Sequence, residues 1–264
     1  MEWLKIICLI KQVPDTTDIK INPETNTLIR EGVPSIINPF DMYAIEEGLR
    51  IKEKLGGEVM AISMGPPQAE EALREALSLG VDEALLLSHP SFAGADTWAT
   101  SYTLAQAIRK LSPYDLILCG RQASDGDTGQ VGPGVAEQLN IPQVAFVRRI
   151  EEIGPEMAVA QRMTEEGYEV IQTPLPALLS VVKEINEPRL PSLRGKLRAK
   201  GAEISIWGVD ELGVKKEDVG LDGSPTRVLR IFTPPAREKG EIWEGDPDEA
   251  ADRLFNKLRD SHLL

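Results

Sequence analysis

The first half of the chain alternates short apolar runs with amphipathic segments of helical length, and this alternation restricts the fold more than any other feature. Strands that are separated by helices of this length need parallel crossovers, so the pattern predicts a doubly wound, mostly parallel α/β sheet. The predicted strands cover residues 5–10, 59–63, 84–87 and 115–119, and the predicted helices cover 42–54, 68–79, 96–111 and 129–139.

The second half of the chain changes character. Runs at 144–153, 157–163 and 168–172 predict an antiparallel extension, and 177–182 predicts a further buried strand. Residues 184–199 show no clear period. An early excursion at 18–31 predicts a hairpin, and 227–232 predicts a strand. The sequence therefore predicts an α/β domain over 1–200 and a C-terminal arm over 201–264, which docks on its own domain or on a partner chain.

The end of the arm carries the signals of a helix start. Asp246 is an N-cap residue, Pro247 follows at the first helical position and Glu249 supplies an acid in the first turn. Leu254 and Phe255 belong to one apolar face of the predicted helix.

Charge and hydropathy exclude several classes of protein. With 29 Lys and Arg against 42 Asp and Glu, the net charge is −13, which disfavours nucleic-acid binding as the main task. The sequence has no uninterrupted apolar run of the roughly 18 residues that a membrane span needs. The N-terminus is a poor secretion signal, and Cys8 and Cys119 lie in apolar runs as reduced thiols. We therefore expect a cytoplasmic protein without direct membrane insertion.

Ligands of doubly wound sheets bind beyond the carboxyl ends of the strands, which draws attention to the loops at 11–17, 63–67 and 120–128. Residues 120–134 combine glycines, a threonine hydroxyl and a helix start, as a phosphate site does, although an ordinary strand-to-helix turn explains them equally well. Asp125 and Asp127 would repel a pyrophosphate if they pointed at it. They would more naturally cap the helix or accept ribose hydroxyls.

Other candidates also have two interpretations. Asn38 to Asp41 form either a turn with Asp41 as the N-cap or a wall of the same pocket. Lys11 meets a phosphate or is a solvated charge, and Met64 packs in the core or contacts a cofactor. The sequence offers no convincing catalytic acid, base or nucleophile, which suggests that a bound cofactor performs the chemistry.

Five ordered motifs resemble the β subunit of electron transfer flavoprotein over essentially the whole chain. They lie at residues 10–16, 38–41, 64–67, 120–132 and 186–195. The resemblance implies a Rossmann-like fold of the adenine-nucleotide α-hydrolase type and a heterodimer with an α subunit. It also implies a dehydrogenase-docking segment within 184–200, with Leu193 as anchor beside Arg189 and Arg194, and an arm over 201–264 that docks on the α subunit.

Residues 32–44, 125–133 and 240–243 resemble the electron-bifurcating branch of that family more than the housekeeping branch. The bifurcating branch implies a FAD where the housekeeping branch holds a structural AMP, and NADH as the electron donor. One electron then passes to ferredoxin or flavodoxin. The other passes through the FAD of the α subunit to an acyl-CoA dehydrogenase or a quinone reductase. Gly129 departs from the alanine of many relatives, and we expect it only to loosen the helix start.

The resemblance also implies the residues of the nucleotide pocket. The loop from Asp125 and the following helix start would hold phosphates, while Leu9 and Met64 would flank the adenosine. Two other functions stay open: a scaffold subunit with structural AMP, and a nucleotide-binding sensor domain. The implied pocket comprises Leu9, Lys11, Asn38, Phe40, Asp41, Met64, Asp125, Gly126, Asp127, Thr128, Gly129, Gln130, Val131, Gly132, Pro133, Gly134, Val135 and Ala136.

Overall fold

A computed structural model describes residues 4–15, 21–22, 27–28, 34–229 and 240–264. The predicted alternation of strands and helices is confirmed, with boundaries that shift by a few residues. In chain order the elements are β1 Lys5–Leu9, β2 Gln12–Pro14, β3 Ile21–Asn22, β4 Thr27–Leu28, β5 Ser35–Ile37, α1 Pro39–Leu55, β6 Glu58–Met64, α2 Glu70–Leu79, β7 Glu83–Leu87, α3 Thr97–Lys110, β8 Leu116–Gly120, α4 Val131–Leu139, β9 Gln143–Ile153, β10 Met157–Met163, β11 Tyr168–Pro174, β12 Ala177–Val181, α5 Leu193–Gly201, β13 Ser205–Trp207, α6 Val209–Leu212 and α7 Pro247–Asp260.

Nine of these strands form one sheet in the order β11-β10-β9-β12-β8-β1-β6-β7-β13. The six strands from β12 to β13 and the pair β9–β12 run parallel, whereas β9, β10 and β11 pair antiparallel. The strands β1, β8 and β12 are almost entirely buried because helices cover both faces of the sheet. The predicted fold class, including its antiparallel extension, is confirmed.

Side chains alternate between the two faces of each central strand, and this divides the core into two layers. Ile6 and Cys8 of β1 pack under α1 and α2, whereas Ile7 and Leu9 pack under α3 and α4. Two small ribbons accompany the sheet: β2 pairs with β5, and β3 pairs with β4. The second ribbon confirms the predicted early hairpin.

Residues 184–199 are more regular than their sequence predicts. A short 3-10 turn at Lys183–Ile185 leads through extended backbone to α5, which begins at Leu193. The side chain of Ser192 accepts a hydrogen bond from the backbone N–H of Gly195, as an N-cap does. The absence of a clear apolar period is confirmed even within α5, because only Ala199 of this helix is buried, and the sequence therefore carries no sign of the helix.

The chain divides into two compact units, residues 1–228 and 229–264. The first unit extends past residue 200 because β13 adds to the sheet edge beside β7. Residues 227–229 do not form the predicted strand, and 230–232 lie outside the described residues. The second unit contains the predicted C-terminal helix α7, whose first amides at Asp248 and Glu249 donate to the side chain of Asp246. Within the described ranges, none of the helices has the length and apolarity that crossing a membrane requires.

Candidate nucleotide site

Asp41 joins two strand ends at the carboxyl edge of the sheet. Its carboxylate accepts the backbone N–H of Lys11, just after β1, at 2.8 Å and that of Gly120, at the end of β8, at 3.1 Å. Helix α1 begins at Pro39 with Asn38 at the cap position, so the expectation that Asp41 is the cap is wrong. Burial raises the pKa of Asp41 to about 7, although both N–H donors and the Lys11 charge favour the ionised form.

Asn38 fastens the loop that follows β8. Its side-chain amide donates to the carbonyl of Gln122 at 2.8 Å, and its side-chain oxygen accepts the backbone N–H of Ser124 at 3.1 Å. Its own backbone N–H donates to the carbonyl of Lys11 at 2.8 Å. Because Asn38 is 1% exposed, these bonds are shielded from water and fix the loop firmly.

The two aspartates of the loop are both engaged within the site. The ammonium group of Lys11 lies 2.6 Å from a carboxylate oxygen of Asp125, whose side chain is only 7% exposed. Asp127 accepts a hydrogen bond from the side-chain amide of Gln122. Lys11 is therefore an ion-pair partner rather than a solvated charge, and it neutralises the acid that would otherwise repel an anion.

Helix α4 presents its N-terminus beside this loop. It begins at Val131, two residues later than predicted, and within the described part of the chain the side chain of Gln130 caps none of its amides. The first amides of an uncapped helix favour anions. Gly129, just before the helix, has a φ of +63°, in the left-handed region. The expectation that this glycine only loosens the helix start is wrong, because the backbone here takes a conformation that disfavours a side chain.

Two glycines of the segment have packing roles. A Cβ at Gly132 would lie 2.7 Å from the sulfur of Cys119, and a Cβ at Gly134 would overlap the hydroxyl of Ser101. They let α4 approach β8 and α3 closely. Thr128 and Gly126 are exposed in the loop, and Pro133 lies in the first turn of α4.

Apolar members of the implied pocket divide between the surface and the core. Leu9, Val135 and Ala136 are at most 6% exposed and belong to the layer under α3 and α4. Met64 and Phe40 are half-buried, at the end of β6 and in the first turn of α1. Phe40 and Met64 are thus the accessible apolar surfaces of this group.

Arg121 is a candidate site residue that the sequence reasoning did not single out. Its guanidinium carbon lies 5.0 Å from the centre of the Phe40 ring, and its buried Nε finds no hydrogen-bond partner among the described residues. A buried cationic nitrogen without a partner, within the 120–128 loop, is a candidate donor to an anionic ligand. Its position directly after a central strand was the available signal.

The thiols of Cys8 and Cys119 take no part in such a site. Both are buried and unpaired, and burial raises the pKa of each thiol well above its usual range, so neither is a nucleophile. The arrangement at the carboxyl edge is therefore suited to binding and orienting an anionic ligand rather than attacking one.

The three residues expected to dock a partner lie in or just before α5. Leu193 is 77% exposed at the first helical position, and Arg194 beside it is exposed. Arg189 instead donates two side-chain hydrogen bonds to Glu46 and two to Glu53, both on α1. These contacts raise the pKa of Arg189 above its usual range. They also attach the extended segment before α5 to helix α1.

A doubly wound sheet with a loop and a helix start at its carboxyl edge is the arrangement typical of nucleotide-binding α/β proteins. The profile of the "Electron transfer flavoprotein domain" family matches residues 25–212. The chain is 53% identical over 262 residues to "Electron transfer flavoprotein subunit beta" of Thermoanaerobacterium thermosaccharolyticum, covering 99% of this chain and 100% of the relative. The chain thus belongs to the electron transfer flavoprotein family, in its beta-subunit line.

Two further relatives carry names that refer to particular systems. The chain is 50% identical over 263 residues to "Caffeyl-CoA reductase-Etf complex subunit CarD" of Acetobacterium woodii, covering 99% and 100% of the two chains. It is 43% identical over 262 residues to "Protein FixA" of Bradyrhizobium diazoefficiens, covering 96% and 90%. The resemblance read from the sequence motifs is confirmed.

Proposed function

We propose that this chain is the β subunit of a heterodimeric, electron-bifurcating flavoprotein and that the site at the carboxyl edge of its sheet holds a FAD. A FAD bound here would accept two electrons from NADH and divide them. One electron would pass to ferredoxin or flavodoxin, and the other would pass through the FAD of the α subunit to an acyl-CoA dehydrogenase or quinone reductase. The alternative is a housekeeping subunit that holds a structural AMP.

The observation that carries the proposal is a neutralised loop beside an uncapped helix start. Lys11 pairs with Asp125, so the loop does not present a free carboxylate at that point. The side chain of Gln130 does not cap the first two amides of α4, those of Val131 and Gly132, so they are available to an anion. Arg121 adds a buried cationic nitrogen that lacks a partner among the described residues. This donor set suits the pyrophosphate of FAD and also the phosphate of AMP.

Four residues of the site then have defined roles. Asn38 and Asp41 hold the loop and the two strand ends in place through backbone hydrogen bonds. Arg121 supplies charge next to the ligand, and Phe40, stacked under that guanidinium, supplies an aromatic surface. The protein thereby positions the ligand and sets the electrostatic field around it, while the cofactor performs the redox chemistry.

The choice of FAD over AMP rests on the motifs at 32–44, 125–133 and 240–243. The acyl-CoA dehydrogenase proposed as an acceptor is supported by the similarity to a subunit of a caffeyl-CoA reductase–Etf complex. The name of that relative couples it to a reductase that acts on a CoA ester. Docking of the 229–264 unit on the α subunit is part of the same proposal.

The test is a count of nucleotides. The chain is co-expressed with its α subunit, and the purified heterodimer is denatured so that FAD and AMP are quantified separately. Two FAD and no AMP per heterodimer, with reduction by NADH, is the expected result. One FAD with one AMP contradicts the bifurcating function and leaves the housekeeping one.

A variant of Arg121 tests whether the second nucleotide of the heterodimer, the one not held by the α subunit, binds at this site. R121Q keeps a polar side chain but removes the positive charge, so we expect it to lower the second nucleotide to well below one per heterodimer. K215Q removes one positive charge from an exposed pair with Glu217 and is the matched control. Equal nucleotide content in R121Q, K215Q and the wild type would place the ligand elsewhere.

A further inference from the structure

Phe146 of β9 takes a backbone conformation that is unfavourable for its residue type. Its φ is +59°, in the left-handed region that bulky side chains rarely adopt. The other non-glycine residues with positive φ among those that the structure describes are Asp127, Asn140 and His262, which belong to the residue types that tolerate this region. A strained conformation of this kind persists only where the surrounding structure enforces it, and it is frequent at ligand sites.

A β-bulge in β9 produces this conformation. On β12, Leu179 and Val181 are two positions apart, whereas their partners on β9, Val144 and Val147, are three positions apart. Both of these β9 valines pack in the core layer under α1 and α2, so the strand fits one extra residue between them. Bulges of this kind redirect a side chain out of the regular alternation of a strand.

Ser180 of β12 holds the bulge beside the start of α4. Its hydroxyl accepts the backbone N–H of Phe146 at 3.2 Å, and Ser180 is buried. Because Leu179 and Val181 pack under α1 and α2, the side chain of Ser180 between them lies on the face that α4 covers. A Cβ at Gly132, in the first turn of α4, would lie 3.9 Å from the Cβ of Ser180. Only Ser180 therefore separates the backbone of Phe146 from the helix start that binds phosphates in the proposed function.

The bulge lies at the carboxyl edge of the sheet, and the side chain of Phe146 is accessible there. Val181 and Gly120 are the last residues of two neighbouring strands, and the backbone N–H of Arg121 donates to the carbonyl of Val181 at 2.9 Å. Phe146 is 39% exposed at this level. An exposed aromatic ring at the edge where ligands of doubly wound sheets bind is available to a planar ligand group.

The order of the strands gives a bound nucleotide a direction. From one side to the other, the neighbouring strands are β6, β1, β8, β12 and β9. In the proposed function the adenosine lies beside Met64 of β6 and Leu9 of β1, and the phosphates lie at the loop after β8. The same direction leads on to β9, which is two strands and roughly 10 Å beyond β8. AMP ends at its phosphate, whereas FAD continues through a second phosphate and a ribityl chain to its flavin ring.

We infer that Phe146 is a specificity-determining residue of the nucleotide site, whose ring contacts the flavin ring of a bound FAD and does not contact AMP. The inference rests on the proposed function and adds a residue from outside the sequence motifs and the loop after β8. The bulge and its hydrogen bond to Ser180 hold the aromatic ring at the carboxyl edge before the ligand binds. Because the contact requires no ordering of the backbone, it favours FAD over AMP.

Parallel titrations of the nucleotide-depleted heterodimer with FAD and with AMP test the inference. F146A removes the ring at a partly exposed position, so the fold is retained. We expect the Kd of FAD at the second nucleotide site to rise roughly tenfold, while the Kd of AMP stays within about twofold of the wild type. Y168A removes a 55% exposed aromatic side chain from the edge strand β11 and is the matched control, which should change neither Kd. Equal FAD affinities in F146A and the wild type overturn the inference.

A glycine at the same position separates the effect of the ring from that of the backbone. F146G also removes the ring but adopts the left-handed conformation without strain, so we expect it to lose FAD affinity as F146A does and to resist urea at least as well as F146A. Retention of FAD affinity in F146G alone would assign the effect to the backbone and overturn the ring contact. A wild-type heterodimer whose second site binds AMP but no FAD contradicts the proposed function itself. That result differs from equal FAD binding by F146A and the wild type, which contradicts only the role of Phe146.

Discussion

The ammonium group of Lys11 and the carboxylate of Asp125 lie 2.6 Å apart although 114 residues separate them in the chain. This pair connects the end of β1 to the loop after β8, beside the helix start that binds the ligand phosphates in the proposed function. It also explains how an acidic loop can belong to an anion site, since the negative charge of Asp125 is balanced before any ligand binds.

Removing Lys11 should weaken nucleotide binding by releasing that negative charge. We expect K11M to lower the affinity for the second nucleotide at least roughly tenfold, because the largely buried carboxylate of Asp125 then repels phosphate. Titration of the nucleotide-depleted heterodimer with FAD and with AMP measures the effect. The double variant K11M/D125N should recover part of the affinity.

The matched control for K11M is K5M, at the first residue of β1. Lys5 lies 3.4 Å from Glu58 in an exposed pair at the opposite end of β1, so its loss should leave nucleotide affinity unchanged. Equal losses in K11M and K5M would show that net charge, rather than the pair with Asp125, governs binding.

Asp41 should give the fold a recognisable pH dependence. Its native pKa of about 7 exceeds the ordinary value of 3.8, so between these values the native state holds a proton that the unfolded chain has released. The contribution of Asp41 to the free energy of unfolding is therefore greatest at low pH and falls as the pH rises towards 7, by at most about 1.4 kcal/mol per pH unit.

Comparison with D41N isolates this contribution from the other carboxylates. Urea unfolding of both proteins between roughly pH 4.5 and 7.5 should show the stability of the wild type, relative to D41N, decreasing with pH. A constant difference across this range would mean that Asp41 remains ionised in the native state throughout.

The conformation of Gly129 predicts the cost of a side chain there. With φ at +63°, Gly129→Ala should lower the free energy of unfolding by about 1 kcal/mol. Gly126→Ala in the same loop is the matched control, because its Cβ would meet nothing within 4 Å and its φ lies outside the left-handed region. Urea denaturation of both variants gives the comparison, and equal stabilities would contradict the strain.

Arg189 should contribute more to stability than other surface arginines. R189Q leaves the buried carboxylate of Glu46 without its cation, so we expect a loss of about 2 kcal/mol. R50Q is the control, since Arg50 makes a single 3.4 Å pair with Glu47 from a 53% exposed side chain and should cost under about 0.5 kcal/mol. Thermal unfolding distinguishes the two, and similar midpoints would contradict the fastening role.

The sequence predicts the central sheet well because its strands are buried on both faces. The apolar runs of β1, β6, β7 and β8 are short, continuous and separated by helices with clear apolar stripes, so local pattern and fold agree. Helix α5 escaped prediction because its stability comes from Arg74, Arg198 and the Ser192 cap rather than from an apolar stripe. Strand β13 escaped because it is only three residues long.

The candidate site was predictable as a set of loops but not as a set of contacts. The positions of Asn38 and Asp41 before a helix favoured a capping role, whereas the carboxylate of Asp41 bonds to amides that lie 30 and 79 residues away in the chain. Such distant partners leave no trace in local spacing. The backbone of Phe146 was equally unpredictable from the sequence. It takes a φ of +59° where β9 departs from regular pairing with β12, and no glycine or other turn residue there indicates it.

Helix α1 makes two sets of contacts. In its first turn Asp41 accepts the backbone N–H of Gly120, and further along the helix Glu46 and Glu53 bind Arg189 in the segment before α5. An α-helix rotates by about 100° for each residue. Inserting or deleting one residue between Asp41 and Glu46 would turn one set of contacts away from its partners while the other stayed in place. The length of this helix is therefore fixed more strictly than its composition, and the chain should accept many substitutions along α1 but no change in residue count.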